Sequence, residues 1–425
     1  MSDSAYENVA WASRPCVPRA SRPWAFTQRQ GRDAPERHGQ DARATLKSAN
    51  TRHPLDLRIG IDARYLGRPV SGIERYTLNL LAGIAEARPG YRIVVLAPPG
   101  AAGSLPASES LEIVPLPGCP RSPADQFSLP WSIRRLGLRL LHCPDSFAPL
   151  ASPCRTLVTL HDLISVTCRD MLVGSAKSRW FRTWRAWLWL QCRAACGVVT
   201  VSQHSAGDIR RLLSVPEAKI HVIHNGVRPP QARPLGESPA PWPATGRLLV
   251  YVGRLDPYKN LVGLVRALAI IRRQAGEEVH LVVAGEADER YPQARQEAES
   301  LGVREATHFV GHLSDAQMPA LYQSAAALVF PSFYEGFGLP PVEAMAYGVP
   351  VVSSDRTAMP EILGQAALYA DPADPASIAA AVLRILGEPA LADRLRLAGP
   401  IQAAQYSLLR SAIAHLELYE RVVKM

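Results

Sequence analysis

Short apolar runs recur along the chain, each separated from the next by a segment long enough for a helix. In the first half they are LRIGID (57–62), YRIVVLA (91–97), RLLHCP (139–144), RTLVTLHDL (155–163), GVVTVS (197–202) and KIHVIHNGV (219–227). In the second half they are RLLVYVGRL (247–255), VHLVVAGE (279–286), THFVGHL (307–313), ALVFPS (327–332), VPVVSSD (349–355) and AALYA (366–370). A strand that is apolar on both faces must be covered on both faces, so such runs alternating with helices mean parallel sheets between helical layers. The pattern stops at a proline-rich stretch and then restarts. The expected fold is α/β, with two doubly wound domains, residues 56–228 and 247–425, joined by a linker over 229–246. The length of 425 residues suits two large domains, and a hydrophobic content of 47% is ample for their cores.

Charge separates the two halves. Residues 56–228 hold 21 basic and 12 acidic side chains, and residues 229–425 hold 17 and 21, so the first domain is +9 and the second −4. A basic domain beside an acidic one points to a surface that faces something anionic. Seven cysteines at 16, 119, 143, 154, 168, 192 and 196 include no CxxC pair, which fits neither a disulfide framework nor a zinc site. A reducing cytoplasm is the plain expectation. No run of 18 apolar residues is present, and the N-terminus lacks a signal-type apolar segment. Residues 1–55 are rich in Arg, Pro and Gln without periodicity and read as a disordered basic extension. A start codon set too far upstream is the competing explanation, because LRIGIDARYL opens cleanly at Leu57.

Ligands of doubly wound sheets sit at the carboxyl ends of the strands, and four polar clusters fall there. GRLDPYKNL carries Arg254 and Lys259. PSFYEGFGLPPVEAMAYGVP carries Glu335 and Glu343, eight positions apart. His161 and Asp162 follow VTL, and VSGIERYTLNLL follows IGIDARYL. Pro340 and Pro341 suit the first turn of a helix that stops at Gly348. A helix start preceded by glycines offers free N–H groups to an anion, and with Arg254 and Lys259 it would hold a diphosphate. Glu343 is expected in the first helical turn and Glu335 in the loop before it. A carboxylate only accepts hydrogen bonds, which suits sugar hydroxyls. One carboxylate would serve each sugar of a nucleotide-sugar, with the diphosphate between them. Taken singly, each residue is ordinary: a loop carboxylate, a helix-dipole partner, two surface cations, a satisfied buried histidine. Their shared position at strand ends is what points to a site.

These pieces resemble the family 4 glycosyltransferases, retaining enzymes of the GT-B fold, over about residues 57–425. The most specific are FPSFYEGFGLPPVEAMAYGVPVV, with that family's E-x7-E pattern, and VGRLDPYKNL. TVSQHSAGDI, HVIHNGV, VTLHDLI and GIDARYLGRPVSGIERYTLNLL also match. The resemblance implies two Rossmann-like domains facing across a cleft, the first on the acceptor side and the second holding a nucleotide-diphospho-sugar. It implies that Arg254 and Lys259 bind the diphosphate, Glu343 the ribose and Glu335 the transferred sugar. Backbone groups of Phe337, Gly338 and Leu339 would meet phosphate and sugar. Val310, Gly311, His312 and Leu313 would line the base, and Gly72 would approach a phosphate. His161 would lie against the sugar with its carbonyl near the reacting carbon. Glu335, His161, Arg254 and Lys259 are then the catalytic set. The resemblance implies no cofactor and no metal, and transfer with retention by front-face attack, the leaving phosphate taking the acceptor's proton. One position departs from the family: Glu74 stands where the first loop usually has a second glycine. It is expected to point away from phosphate, unless this loop touches the acceptor instead.

The GIDAR…GIERYT and HDLI pieces look most like those of bacterial mannosyltransferases, which implies GDP-mannose as donor and a polysaccharide or lipid-linked oligosaccharide as acceptor. In SAKSRWFRTWRAWLWLQCRAAC (175–196), Trp180, Trp184 and Trp187 share one helical face among Arg179, Arg182, Arg185 and Arg193. Trp with Arg favours a membrane interface, so this segment is expected to touch anionic lipid at the inner face of the cytoplasmic membrane. The opposing reading packs the aromatic stripe on its own sheet. Nucleic acid is not an expected partner. Two other functions stay open. One is a non-catalytic nucleotide-sugar-binding partner in surface-polysaccharide assembly, against which the intact Glu335, Glu343, Arg254 and Lys259 argue. The other is a dehydrogenase, against which the lack of GxGxxG after the first strand of either half argues.

Overall fold

Each apolar run named above contains a strand, and the strands pair in parallel. The computed structural model describes residues 57–67, 72–172, 181–230, 242–286 and 288–425. The first sheet is built from β1 (Ile59–Asp62), β2 (Ile93–Ala97), β3 (Leu111–Pro115), β4 (Leu140–Cys143), β5 (Arg155–Thr159), β6 (Gly197–Thr200) and β7 (Ile220–Val222), in the order β3-β2-β1-β4-β5-β6-β7. The second contains β8 (Arg247–Val252), β9 (Val279–Ala284), β10 (Thr307–Gly311), β11 (Ala325–Phe330), β12 (Val351–Ser354) and β13 (Ala367–Ala370), in the order β10-β9-β8-β11-β12-β13. All these pairings are parallel. In each sheet the chain reverses its direction of travel beside the first strand, between β1 and β4 and between β8 and β11. The loops part at those points, which is where such sheets take ligands. The expected extension 1–55, residues 68–71, Arg179 and Trp180 of the expected aromatic stripe, and most of the expected linker lie outside the described residues.

β3 has no counterpart in the sequence pattern. It is an edge strand, buried on one residue and otherwise partly exposed, with Pro115 and Pro117 at its end. Proline is tolerated at an edge, and a half-exposed edge needs no continuous apolar run.

The helices that matter to the site are α1 (Gly72–Ala87), α2 (Asp125–Leu136), α3 (Phe181–Ala194), α4 (Gln203–Leu213), α5 (Leu261–Ala275), α6 (Leu339–Ala346), α7 (Met359–Leu363), α8 (Pro375–Gly387), α9 (Pro389–Ala403) and α10 (Leu408–Lys424). Strand residues alternate between faces. Ile93 and Val95 meet α1 and α10 on one face of the first sheet, while Val94 and Leu96 meet α2, α3 and α4 on the other. The second sheet shares one continuous core with α5, α6, α8 and α9. Trp242, within the expected linker, is buried in that core.

The sequence pattern assigns all of 247–425 to the second domain, but α10 crosses back. Leu416, Leu418, Tyr419 and Val422 are buried with α1 and the first sheet, each burial contributing roughly 1.5–3 kcal/mol. The two crossing segments lie side by side: the Val227 N–H donates to the Tyr406 carbonyl at 2.7 Å, and Val227 bridges Ser407 in parallel.

Under α1 and α10 lies a buried polar network. His142, fully buried, is bonded to the Tyr419 hydroxyl at 2.6 Å and to Thr159 Oγ1 at 2.7 Å. His415 donates from Nδ1 to the Ser411 carbonyl at 2.8 Å, which leaves Nε2 to accept from the Tyr76 hydroxyl at 2.8 Å. Both rings are therefore satisfied as neutral imidazoles. Burial pushes the pKa of His142 well below the usual histidine value and that of His415 down to about 4. The six described cysteines are free thiols. Among the described residues no single helix is long and apolar enough to cross a membrane.

Candidate active site

The turn after β8 sets two cations differently. Asn260, in the left-handed region at φ 59°, caps α5 by accepting from the Gly263 N–H at 3.2 Å, and its amide donates to the Pro372 carbonyl at 2.6 Å. Asparagine tolerates this conformation. The turn so fixed sends Lys259 inward. Its ammonium lies 2.6 Å from Glu335 Oε1, with both side chains largely buried, and sits 5.3 Å and 5.1 Å from the ring centres of Tyr258 and Phe330. Arg254 stays mostly exposed and donates to Asp256 at 2.7 Å. The Phe333 N–H donates to the Tyr258 carbonyl at 2.7 Å, tying this turn to the glycine-rich loop.

That loop carries Glu335 into α6. The Glu335 N–H donates to Thr357 Oγ1 at 3.0 Å. Thr357 itself has φ 57°, a costly conformation for a β-branched residue, held where it fixes the Glu335 backbone. Gly338 is the N-cap of α6 at φ 83°, and no side chain caps the helix. Pro340 and Pro341 in the first turn have no N–H, so the expected set of free donors reduces to the backbone N–H groups around Gly338 and Leu339. Gly348, at φ 71°, follows the end of the helix as the sequence predicts. Phe337 buries its ring against Tyr406 and His224, leaving only its backbone toward the loop. Leu339 is the first helical residue.

Glu343 is not in the first turn. It is the fifth residue of α6, one turn in, where it accepts from Arg75 at 3.2 Å and from the Tyr322 hydroxyl at 3.2 Å. Burial raises its pKa, and Arg75 and Tyr322 oppose that. Arg75 stands in the first turn of α1 and also pairs with Asp315, which lies 3.7 Å from Arg228. Val310, Gly311, His312 and Leu313 run from the end of β10 toward Asp315; Leu313 is buried and His312 exposed. Arg75 thus joins the start of α1, next to Gly72, to both the 310–315 segment and Glu343. Gly72 is exposed, with open space around it.

Glu74 accepts from the Gly67 N–H at 3.0 Å. Its carboxylate therefore serves its own loop.

His161 donates from Nε2 to the Pro144 carbonyl at 2.9 Å, which fixes the tautomer, and the edge of Tyr76 packs on it with ring centres 4.7 Å apart. Its carbonyl accepts from Ser205 Oγ at 3.2 Å. A side chain on Gly336 would place its Cβ 2.3 Å from that carbonyl, so glycine is required where the glycine-rich loop meets the first domain. A second bridge comes from α7. Glu361 accepts from the N–H groups of Gln203 (2.8 Å) and His204 (3.1 Å) at the start of α4, and lies 3.2 Å from His224 Nε2.

The structure thus brings Lys259, Glu335 and the start of α6 into one set of tied loops. It reaches Glu343 through Arg75, and it sets His161 against Gly336. Arg75, Gly336, Thr357 and Glu361 carry this arrangement without standing out in the sequence. Two of them have a local signal, Gly336 in EGFG and Arg75 in GIERY.

Residues 70–230 match the model of glycosyltransferase family 4, and residues 237–401 that of the glycosyl transferases group 1. The O-antigen chain mannosyltransferase B of Escherichia coli is 31% identical over 286 residues, which is 65% of this chain and 73% of that protein. The chain belongs to glycosyltransferase family 4. Another relative of this glycosyltransferase, the MMP α-(1→4)-mannosyltransferase of Mycolicibacterium hassiacum, is 32% identical over 304 residues, 68% of this chain and 69% of that one. Its fold is GT-B, and it is similar to that of sucrose-phosphate synthase from Thermosynechococcus elongatus, with a TM-score of 0.69 and 21% identity over 86% of this chain and 98% of that one. The tied loops described above belong to its second domain, and His161 and Arg75 to its first.

The aromatic stripe of α3 faces inward where it is described. Trp184 and Trp187 pack on Phe147, with ring centres 5.8 Å and 5.6 Å away. Their indole N–H groups donate to Ser165 Oγ at 2.8 Å and to the Ser146 carbonyl at 3.0 Å. These two rings are half-buried packing groups of the glycosyltransferase.

Proposed function

We propose that this family 4 glycosyltransferase moves a mannosyl group from GDP-mannose to a polysaccharide or lipid-linked oligosaccharide, with retention and without a metal. The observation that carries the proposal is the buried Lys259–Glu335 pair beside the uncapped start of α6. The ammonium is held in place before any ligand arrives, so it needs no reorganisation as charge grows on a leaving diphosphate. Arg254, tethered to Asp256 but exposed, adds a second positive charge from the same turn. Glu335 would accept from hydroxyls of the transferred sugar. Glu343 would accept from the ribose, which then shares that carboxylate with Arg75. The His161 carbonyl, pressed against Gly336, would face the reacting carbon, and the leaving phosphate oxygen would take the acceptor's proton. Mannose is favoured because both relatives named above are mannosyltransferases. Among the described residues no three side chains converge as a metal-ligand set.

Calorimetry with GDP, UDP, GDP-mannose and UDP-glucose tests the donor. Tight GDP and GDP-mannose binding is expected, and tight UDP binding with none for GDP would refute it. Transfer in excess EDTA tests the metal statement: loss of activity restored by Mg²⁺ or Mn²⁺ would overturn it. Proton NMR of the first product reads the anomer, and an inverted linkage would remove the retaining mechanism.

A further inference from the structure

The described residues with large exposed aromatic side chains are Phe127 (82% exposed), Trp131 (61%) and Trp189 (47%), and all three lie on α2 and α3. Leu190, 39% exposed, adjoins them. The other large exposed apolar residues, Leu301, Leu397, Ile401 and Met425, are aliphatic or thioether and lie in the second half.

The two helices are neighbours. Their inner faces, Leu129 and Ile133 on α2 and Leu188 and Cys192 on α3, share one core. The Ala148 carbonyl accepts from Gln126 of α2 at 3.3 Å and from Gln191 of α3 at 3.0 Å, so both helices grip the same loop.

On α2, Phe127, Trp131, Arg134 and Arg135 fall at spacings of four, three and one, a single outward stripe. The Arg135 guanidinium covers the Trp131 ring at 4.5 Å. On α3 the exposed residues include Arg182, Arg185, Trp189 and Arg193, again one stripe. The two helices contain a single acidic residue, Asp125, which is buried and bonded to Arg64. Their outer surface is therefore aromatic and positive with no negative side chain.

We propose that the first domain docks on an anionic lipid bilayer through these outer faces of α2 and α3. The Trp131 and Trp189 rings, each with an apolar body and a polar N–H, suit the headgroup level, the Phe127 ring is apolar enough to enter beside them, and arginines next to them meet lipid phosphates. The charge of +9 on residues 56–228 extends the same complementarity over the domain. Phe127 lies in the first turn of α2, next to Asp125, whose partner Arg64 follows β1. That is the carboxyl edge of the first sheet, the same edge that carries His161. A docked enzyme would hold its reaction site near the headgroups. The surface assignment stands apart from the proposed transfer reaction, since binding to lipid needs neither donor nor acceptor.

The test is co-sedimentation of the full chain with vesicles of mixed phosphatidylglycerol and phosphatidylcholine. Wild type should bind at low salt, and about tenfold less in high salt or on pure phosphatidylcholine. The Phe127→Ser/Trp131→Ser and Arg134→Gln/Arg135→Gln variants should each bind about tenfold less while melting like wild type, because all four side chains project into solvent. Wild type that ignores the mixed vesicles at low salt overturns the proposal, as does undiminished binding by both variants. Light scattering that finds a wild-type dimer, lost in the Phe127/Trp131 variant, would reassign the face to a second copy of the chain and overturn it too.

Discussion

In the second domain the site cations have carboxylates of their own: Lys259 is held by Glu335 and Arg254 by Asp256. On α2 and α3 of the first domain, Arg134, Arg135, Arg182 and Arg193 face solvent, and the one acidic residue of those helices is committed elsewhere. The contrast matches what each surface has to meet. A small anionic ligand is best received by charges already oriented, so the cost of arranging them is met in folding rather than at binding. An extended anionic surface needs no such geometry; it needs a field and rings that tolerate the headgroup layer. Arg75 departs from this division, a first-domain cation paired with Glu343 and Asp315 of the second domain, and Arg228 lies beside the same Asp315.

The comparison breaks most visibly at the second-domain pair. Lys259→Ala and Arg254→Ala should each lower kcat/KM by about 10²-fold and weaken donor binding, and the double variant should be nearly inactive. Near-wild-type kinetics in folded variants would make these charges ordinary surface groups.

Arg75→Ala should cost about 2 kcal/mol in urea unfolding, because it leaves the largely buried Glu343 without its ionic partner. Adding Glu343→Gln should restore part of that loss. If the two losses simply add, the bridge contributes nothing and the domains meet through other contacts.

A third effect, spread over more than two pH units, belongs to the first domain alone. His142 and His415 are held neutral in the folded state, while in the unfolded chain they take up protons near pH 6.5. Below that value the unfolded state binds protons the folded state refuses, so stability falls as pH falls; above it the two groups contribute no slope. His415, with its pKa down at about 4, should remove up to about 3 kcal/mol between pH 6.5 and 4. Urea midpoints across that range measure it. A slope unchanged in His415→Gln would assign the acid sensitivity to other groups.

Much of this molecule is legible because parallel strands buried on both faces leave continuous apolar runs, and because the donor-side residues sit at the ends of those runs. β3 escapes because an edge strand needs no such run. The α10 helix escapes because an amphipathic pattern says that a helix has a buried face without saying which sheet receives it. The same limit explains α3: periodicity finds the Trp184 and Trp187 stripe, but only tertiary contact with Phe147 shows that it turns inward, while Trp189 turns out. Pairings such as Arg75 with Glu343 or Glu361 with the start of α4 join residues well over a hundred positions apart, and local pattern carries no trace of them.

The return of α10 also fixes an order of assembly. A ribosome delivers every strand of the first sheet, and then every strand of the second, before it delivers the helix that covers Ile59, Ile61 and Tyr76. The domain made first is thus the one completed last. While translation continues, one of its faces is open, and the His142 ring waits for the Tyr419 hydroxyl. A nascent chain stalled within the second sheet would carry a finished face and an unfinished one, and the unfinished face is what a chaperone would hold.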